Sequence, residues 1–348
     1  MKRLPVESLN NALTSILSQT GRRVILKLNT VPFFLTTQET DNSMRHFLQL
    51  SDWAPDELQD MLQLAVRLKA EHRNGGNAPL LQNKVLGLIF QKPSLRTRVS
   101  FEVGMRQLGG WALTLGPDEI GLGKRESIAD ISRVMSRYVH AVMARVFDHQ
   151  HVIELARWSD VPVINGLSDE HHPCQALADI LTIYEHYGRT QGLRVAYVGD
   201  GNNVAASLAE AAAHFGMHFR IATPPGYELS EAALETAADI ARQTGGSIET
   251  YHDPAAALKG ADVVYTDTWV SMGQEAETAA RKEAMRPYQV NADLLRHAGP
   301  NAIVMHCLPA HRGQEITDDV ADGPQSVIFD QAENRLHAQK AILVKLLG

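Results

Sequence analysis

The segment Ser94-Leu95-Arg96-Thr97-Arg98 brings two hydroxyls and two guanidinium groups together, a composition suited to holding phosphate oxygens. It follows an apolar run ending at Phe90, so a helix starting there adds free backbone N–H groups and the positive end of its dipole. That dipole disfavours cations in a first helical turn, which favours an anion site over a solvated basic face. Arg145 ends a second apolar run and is either a surface residue or a further anion ligand. In His171-His172-Pro173-Cys174-Gln175 an imidazole can donate to a carbonyl oxygen and a side-chain amide can pair with another amide. Two adjacent histidines on an extended segment point opposite ways, which argues against a shared metal. Asp267, opening Asp267-Thr268-Trp269-Val270-Ser271-Met272-Gly273, either caps a helix or holds an ammonium group. In His306-Cys307-Leu308-Pro309 the thiol is either an inert small hydrophobe or a thiolate facing a cation. These sets together suit transfer of an acyl-like group from a phosphate leaving group to an amine.

Two nucleotide readings are weaker. Gly199-Asp200-Gly201-Asn202-Asn203 looks like the front of a dinucleotide fingerprint and supports a rival, a nicotinamide-dependent dehydrogenase. Val204 and Ala205 stand near the missing third glycine, however, and the following strand lacks the acid that holds a ribose. Lys124 follows Gly123 but Arg125 comes next, so there is no phosphate-binding loop for nucleotide hydrolysis.

Strands and helices must alternate to present these clusters. Short apolar runs predict strands at 84–90, 141–146, 161–165, 194–198, 219–222, 263–266 and 303–306. Helical spacing predicts helices at 56–69, 93–108, 152–158, 179–187, 204–215 and 334–347. Strands that are apolar nearly throughout, separated by helices, predict an α/β fold of two domains, each a mostly parallel sheet covered on both faces. The changeover falls near 182–193, and the last helix returns to the first domain. Ligands of such sheets bind where strands end and helices begin, and every cluster above lies at such a junction.

Composition agrees. The 348 residues carry 21% charged and 44% hydrophobic side chains, with 33 basic against 40 acidic residues and a net charge of −7. That balance argues against a nucleic-acid partner, and no apolar run approaches a membrane span. The two cysteines form no disulfide framework or metal-ligand spacing and suit a reducing compartment. Residues 1–43 stand apart as a basic, poorly ordered extension, either a loosely attached segment or an organelle-targeting presequence.

The motif series Ser-x-Arg-Thr-Arg, His-Pro-x-Gln, Asp-x-x-x-Ser-Met-Gly and His-Cys-Leu-Pro resembles that of the aspartate/ornithine carbamoyltransferase family over about Met44 to Leu347. The last two motifs are similar to those of its ornithine branch. The resemblance implies a carbamoyl phosphate domain at 44–185, completed by 330–348, and an ornithine domain at 186–329. It implies that Ser94, Leu95 (through its backbone), Arg96 and Thr97 hold the phosphate. Arg145, His172 and Gln175 would surround the carbamoyl group, with Cys307, Leu308 and Arg335 beside it. Asn203, Asp267, Ser271 and Met272 would bind ornithine, Asp267 near its α-ammonium. The expected activity is carbamoyl transfer to the δ-amine of L-ornithine, giving citrulline and phosphate, with Arg96, Arg145, His172 and Cys307 catalytic. A related amine, putrescine or an acylated ornithine, is the alternative acceptor; a non-catalytic regulatory member of the family is the other rival. The resemblance further implies no metal or organic cofactor, domain closure after carbamoyl phosphate binds, and a homotrimer. The expected location is the cytoplasm, or the mitochondrial matrix if residues 1–43 are a presequence. Leu95 and Gly121 depart from the family pattern, Gly121 where relatives carry a side chain reaching a neighbouring subunit.

Overall fold

The computed structural model describes residues 45–270 and 278–348. Two parallel sheets organise them. The first lobe comprises α1 (Pro55–Arg73), β1 (Val85–Phe90), α2 (Leu95–Gln107), β2 (Trp111–Leu115), α3 (Pro117–Ile120), α4 (Ile128–Met135), β3 (Ala141–Arg145), α5 (His149–Arg157), β4 (Val163–Leu167) and α6 (Pro173–Tyr187). Its four strands run in the order β2-β1-β3-β4. The second lobe comprises β5 (Arg194–Val198), α7 (Asn203–His214), β6 (His218–Ala222), α8 (Glu231–Thr244), β7 (Ser247–Tyr251), α9 (Pro254–Leu258), β8 (Val263–Thr266), α10 (Thr278–Met285), α11 (Ala292–Leu295), β9 (Ile303–His306) and α12 (Asp318–Ala321). Its five strands run β7-β6-β5-β8-β9.

Strands β1, β3, β8 and β9 are buried along nearly their whole length, so their sequences read as nearly continuous apolar runs. The edge strands β2 and β7 were not among the expected strands. Their residues are exposed or half-buried, and a strand without a continuous apolar run carries a weaker signal. β4 also begins at Val163, two residues later than expected; beside it the Phe47 N–H donates to the Val163 carbonyl and the Phe47 carbonyl accepts from the Asn165 N–H.

The final helix α13 (Ile328–Leu347) starts six residues before its predicted limit and packs on the first lobe. Lys69 Nζ donates to Asn334 Oδ1 at 2.7 Å and pairs with Glu185 at 2.8 Å. Lys340 Nζ donates to Asn77 at 2.8 Å and Gln107 at 3.0 Å. Each buried ammonium is thus hydrogen-bonded, so α13 is anchored by polar as well as apolar contacts. Along α2, Thr97, Phe101 and Met105 face inward at helical spacing, while Leu95, Val99 and Val103 form an exposed stripe.

Candidate active site

A cleft of about 1750 Å³ opens at the strand ends, lined by Ser94, Leu95, Arg96 and Thr97 on one side and Asn202, Asn203, Asp267 and Cys307 on the other. Ser94 caps α2, its Oγ accepting from the Thr97 backbone N–H at 3.4 Å and donating to Thr97 Oγ1 at 3.1 Å. The cap fixes the first turn so that its backbone N–H groups and Arg96 face the cleft. Arg96 Nη2 donates to the Leu308 carbonyl at 2.8 Å and so ties the two sides together. Arg98, expected beside Arg96, instead points to solvent and pairs with Glu102 at 2.9 Å. Two residues along a helix is about 200° of rotation, which carries it to the opposite face.

Behind α2 the cations crowd. Arg145 is 7% exposed at the end of β3, which resolves the surface alternative against it. Burial first, then Arg335 and Arg96, push its guanidinium down to about 9, still protonated at neutral pH. Lys92, which the sequence reading missed, is 7% exposed and lies over the Phe147 ring at 4.7 Å. Burial and then Arg145 push its ammonium down to about 8. Only its burial marks it, since a lysine before Pro93 reads as surface. His172 is held well below the usual imidazole range by burial and then by Arg335, Arg145, Lys92 and Arg96. It is therefore neutral, with one N–H to donate. Arg145 Nε, Arg335 Nε and His172 Nδ1 are buried and have no hydrogen-bond partner. The two unmet guanidinium N–H donors beside uncompensated positive charge describe a wall complementary to an anion.

Arg335 reaches this wall from α13, donating to Thr97 Oγ1 at 3.1 Å and to Gln175 Oε1 at 2.7 Å. Gln175 departs from expectation. It is 1% exposed and does not line the cleft, sitting behind Arg335 instead.

On the facing wall Asp267 accepts from Cys307 Sγ at 3.0 Å and from Asn202 Nδ2 at 2.9 Å. Burial and then Asp267 push the Cys307 thiol well above its usual range. It is a thiol donating to a carboxylate, which corrects the thiolate alternative. Asn202 also caps α7, its Oδ1 accepting from the Val204 and Ala205 N–H groups. The sequence reading favoured Asn203, which lines the cleft but gives its amide to the Ser168 carbonyl at 2.5 Å. His306 does not face the cleft. Its Nδ1 accepts from the Leu308 N–H and its Nε2 lies 3.2 Å from buried Glu315, so both nitrogens support the loop carrying Cys307. Ser271 and Met272 lie outside the described residues.

The glycine pair of the dinucleotide-like segment has a packing reason. A Cβ on Gly201 would stand 2.4 Å from the backbone of Glu228 and Leu229. That close backbone approach gives Gly201 a structural role that needs no dinucleotide. Gly121 ends α3 with φ 53°, a left-handed conformation that a longer side chain adopts only with strain.

Two parallel-sheet lobes with an anion wall at one helix start and an acid–thiol wall at the opposing strand ends define a two-substrate transferase of the α/β class. The description "Aspartate/ornithine carbamoyltransferase, carbamoyl-P binding domain" matches residues 45–185, and "Aspartate/ornithine carbamoyltransferase, Asp/Orn binding domain" matches residues 191–346. The chain belongs to the aspartate/ornithine carbamoyltransferase family. It is 56% identical over 304 residues to an ornithine carbamoyltransferase of Pyrococcus abyssi, covering 87% of this chain and 96% of that one. The solved ornithine carbamoyltransferase of Pyrococcus furiosus superposes with a TM-score of 0.86 at 55% identity, covering 87% and 97% of the two chains. A solved N-acetyl-L-ornithine transcarbamylase is more distant in sequence, 34% identical with a TM-score of 0.79 over 87% of this chain and all of that one.

Proposed function

We propose that the protein transfers the carbamoyl group of carbamoyl phosphate to the δ-amine of L-ornithine, forming L-citrulline and phosphate. The carrying observation is the opposition, across one cleft, of an undercompensated cationic wall and a buried Asp267–Cys307 pair. The names of the relatives above support the same reaction. The phosphate lies at the start of α2 on Ser94, the Leu95 N–H, Arg96 and Thr97, with Arg335 beside it and Gln175 bracing Arg335 from behind. The carbamoyl oxygen faces Arg145 and neutral His172, and Lys92 adds charge to the same wall. Ornithine's α-ammonium is held by Asp267, with Asn203, Ser271 and Met272 as the remaining contacts.

The δ-amine is protonated in water, with a pKa near 10 as for a lysine amine, and must lose a proton before it attacks. Its lone pair then forms the new C–N bond while the carbonyl electrons move to oxygen, where the Arg96, Arg145 and His172 donors stabilise them. Collapse breaks the C–O bond and expels phosphate onto the arginines, and the nitrogen passes its second proton to the departing phosphate. Cys307 and Leu308 lie between the two substrates, the Cys307 thiol fixing the Asp267 carboxylate. No step calls on a metal or organic cofactor.

The domain division proposed is 44–185 with 330–348 for carbamoyl phosphate and 186–329 for ornithine, close to the matched family regions. A homotrimer is proposed as well, supported by the exposed Leu95, Val99 and Val103 stripe of α2 and by Trp111 and Leu113 on the edge strand β2. A cytoplasmic location suits the two free thiols, which must stay reduced. No described helix is long and apolar enough to cross a membrane.

The test is citrulline formation with carbamoyl phosphate against ornithine, N-acetylornithine and putrescine. Preference for ornithine is expected, because acylation removes the charge that Asp267 meets. Equal or better use of N-acetylornithine would contradict the acceptor.

A further inference from the structure

Asp179 is fully buried on α6, one turn after Gln175, and no cation lies within ion-pair distance of it among the described residues. Its Oδ1 accepts from Gln175 Nε2 and from Gln331 Nε2, both at 2.8 Å, and its Oδ2 accepts from the Tyr265 hydroxyl at 3.1 Å. Those donors sit on α6, on α13 and on β8 of the second lobe.

The far ends of the two amides are committed. Gln175 Oε1 receives Arg335 Nη1 at 2.7 Å, and Gln331 Oε1 receives the backbone N–H of His306 at 2.8 Å. A guanidinium and a backbone N–H only donate, so each amide must turn its oxygen to them and its nitrogen inward. Two NH2 groups therefore converge on one point, and a group offering acceptor lone pairs there satisfies both. Burial pushes the Asp179 carboxyl up to about 7 while its three donors pull it down. A buried carboxyl at such a cost asks for a role.

We propose that Asp179 is a positioning residue that sets both walls of the cleft, holding Arg335 through Gln175 and the His306–Cys307 strand end through Gln331. The inference rests on the carbamoyl-transfer reading and extends it to a residue that touches neither substrate. Each wall then has its own arm. Loss of the Gln175 arm loosens Arg335 and weakens the carbamoyl phosphate side. Loss of the Gln331 arm loosens the backbone entering Cys307 and weakens the ornithine side. Loss of Asp179 releases both.

The experiment is steady-state kinetics with both substrates varied, on Gln175→Ala, Gln331→Ala, Asp179→Ala and the two doubles that include Asp179→Ala, with melting temperatures as the fold control. Gln175→Ala is expected to raise KM for carbamoyl phosphate about tenfold and leave that for ornithine within about twofold, and Gln331→Ala to do the reverse. Asp179→Ala is expected to raise both, and neither double to be worse than Asp179→Ala for its own substrate. Asp179→Asn keeps an acceptor oxygen for the two amides and can donate to Tyr265, so it is expected to restore most of the loss. Losses that multiply in the doubles, equal effects of both glutamine variants on both substrates, or an Asn variant as impaired as Ala would overturn the proposal. If Asp179→Ala does not fold, Asp179→Leu fills the volume without an acceptor and runs the same cycle. Absence of citrulline from the unaltered protein would overturn the transfer reading and this one with it, whereas citrulline with multiplying losses overturns this one alone.

Discussion

Arg145 shows how a single buried charge carries the chemistry. It sits at the carboxyl end of a fully buried strand, its Nε is unpartnered, and its neighbours Arg335 and Arg96 add positive charge rather than balance it. Arg145→Ala is expected to cut kcat about a hundred- to a thousandfold, as loss of one oxyanion donor does, with a melting temperature unchanged or raised by relief of buried charge. A variant retaining kcat would remove the residue from the mechanism. Lys92 gives the pH dependence. Its ammonium is pushed down to about 8, so raising the pH through that value removes a positive charge from the free anion wall. The logarithm of kcat/KM for carbamoyl phosphate should therefore be flat below pH about 8 and fall above it. In Lys92→Met the lysine limb should disappear from the profile; its persistence would assign the fall to another group. The missed and misread residues share one cause. Lys92 looks like an ordinary surface residue in a sequence and Arg98 looks like a ligand, because solvent exposure follows from helix rotation and packing rather than residue type.

At the scale of elements, the helix starts decide what faces the cleft. Asn202 both caps α7 and donates to Asp267, so Asn202→Ala has two separable effects. Loss of the cap should lower stability by about 1 kcal/mol, read by denaturant titration, and release of Asp267 should raise KM for ornithine while leaving that for carbamoyl phosphate unchanged. An effect on carbamoyl phosphate alone would contradict the placement of Asp267. The strands and helices bearing the motifs were legible because burial on both sheet faces writes itself as unbroken apolar runs, as in 194–198, 263–266 and 303–306. Strands β2 and β7 were not, since their side chains are exposed or half-buried and need not be apolar, whereas β4 and β9, also at sheet edges, are buried. The early start of α13 was hidden for a related reason: its first turns bury Gln331, Asn334 and Arg335, whose partners come from distant parts of the chain.

For the whole molecule, the exposed face of α2 and β2 adjoins the phosphate end of the cleft. Trp111 is 67% and Leu113 51% exposed on an edge strand, a surface that solvent tolerates poorly over this extent. For the proposed trimer, replacing Leu113 with glutamate should shift the mass measured by light scattering towards monomer at micromolar concentration; an unchanged mass would contradict this surface as the assembly face. One cleft joins both substrates for direct transfer. Carbamoyl phosphate labelled with 13C at the carbonyl, followed in the presence of ornithine, tests this. Label is expected in citrulline in an amount equal to the phosphate released, with negligible phosphate release when ornithine is omitted. Phosphate released at the same rate without ornithine, with the label recovered outside citrulline, would contradict it.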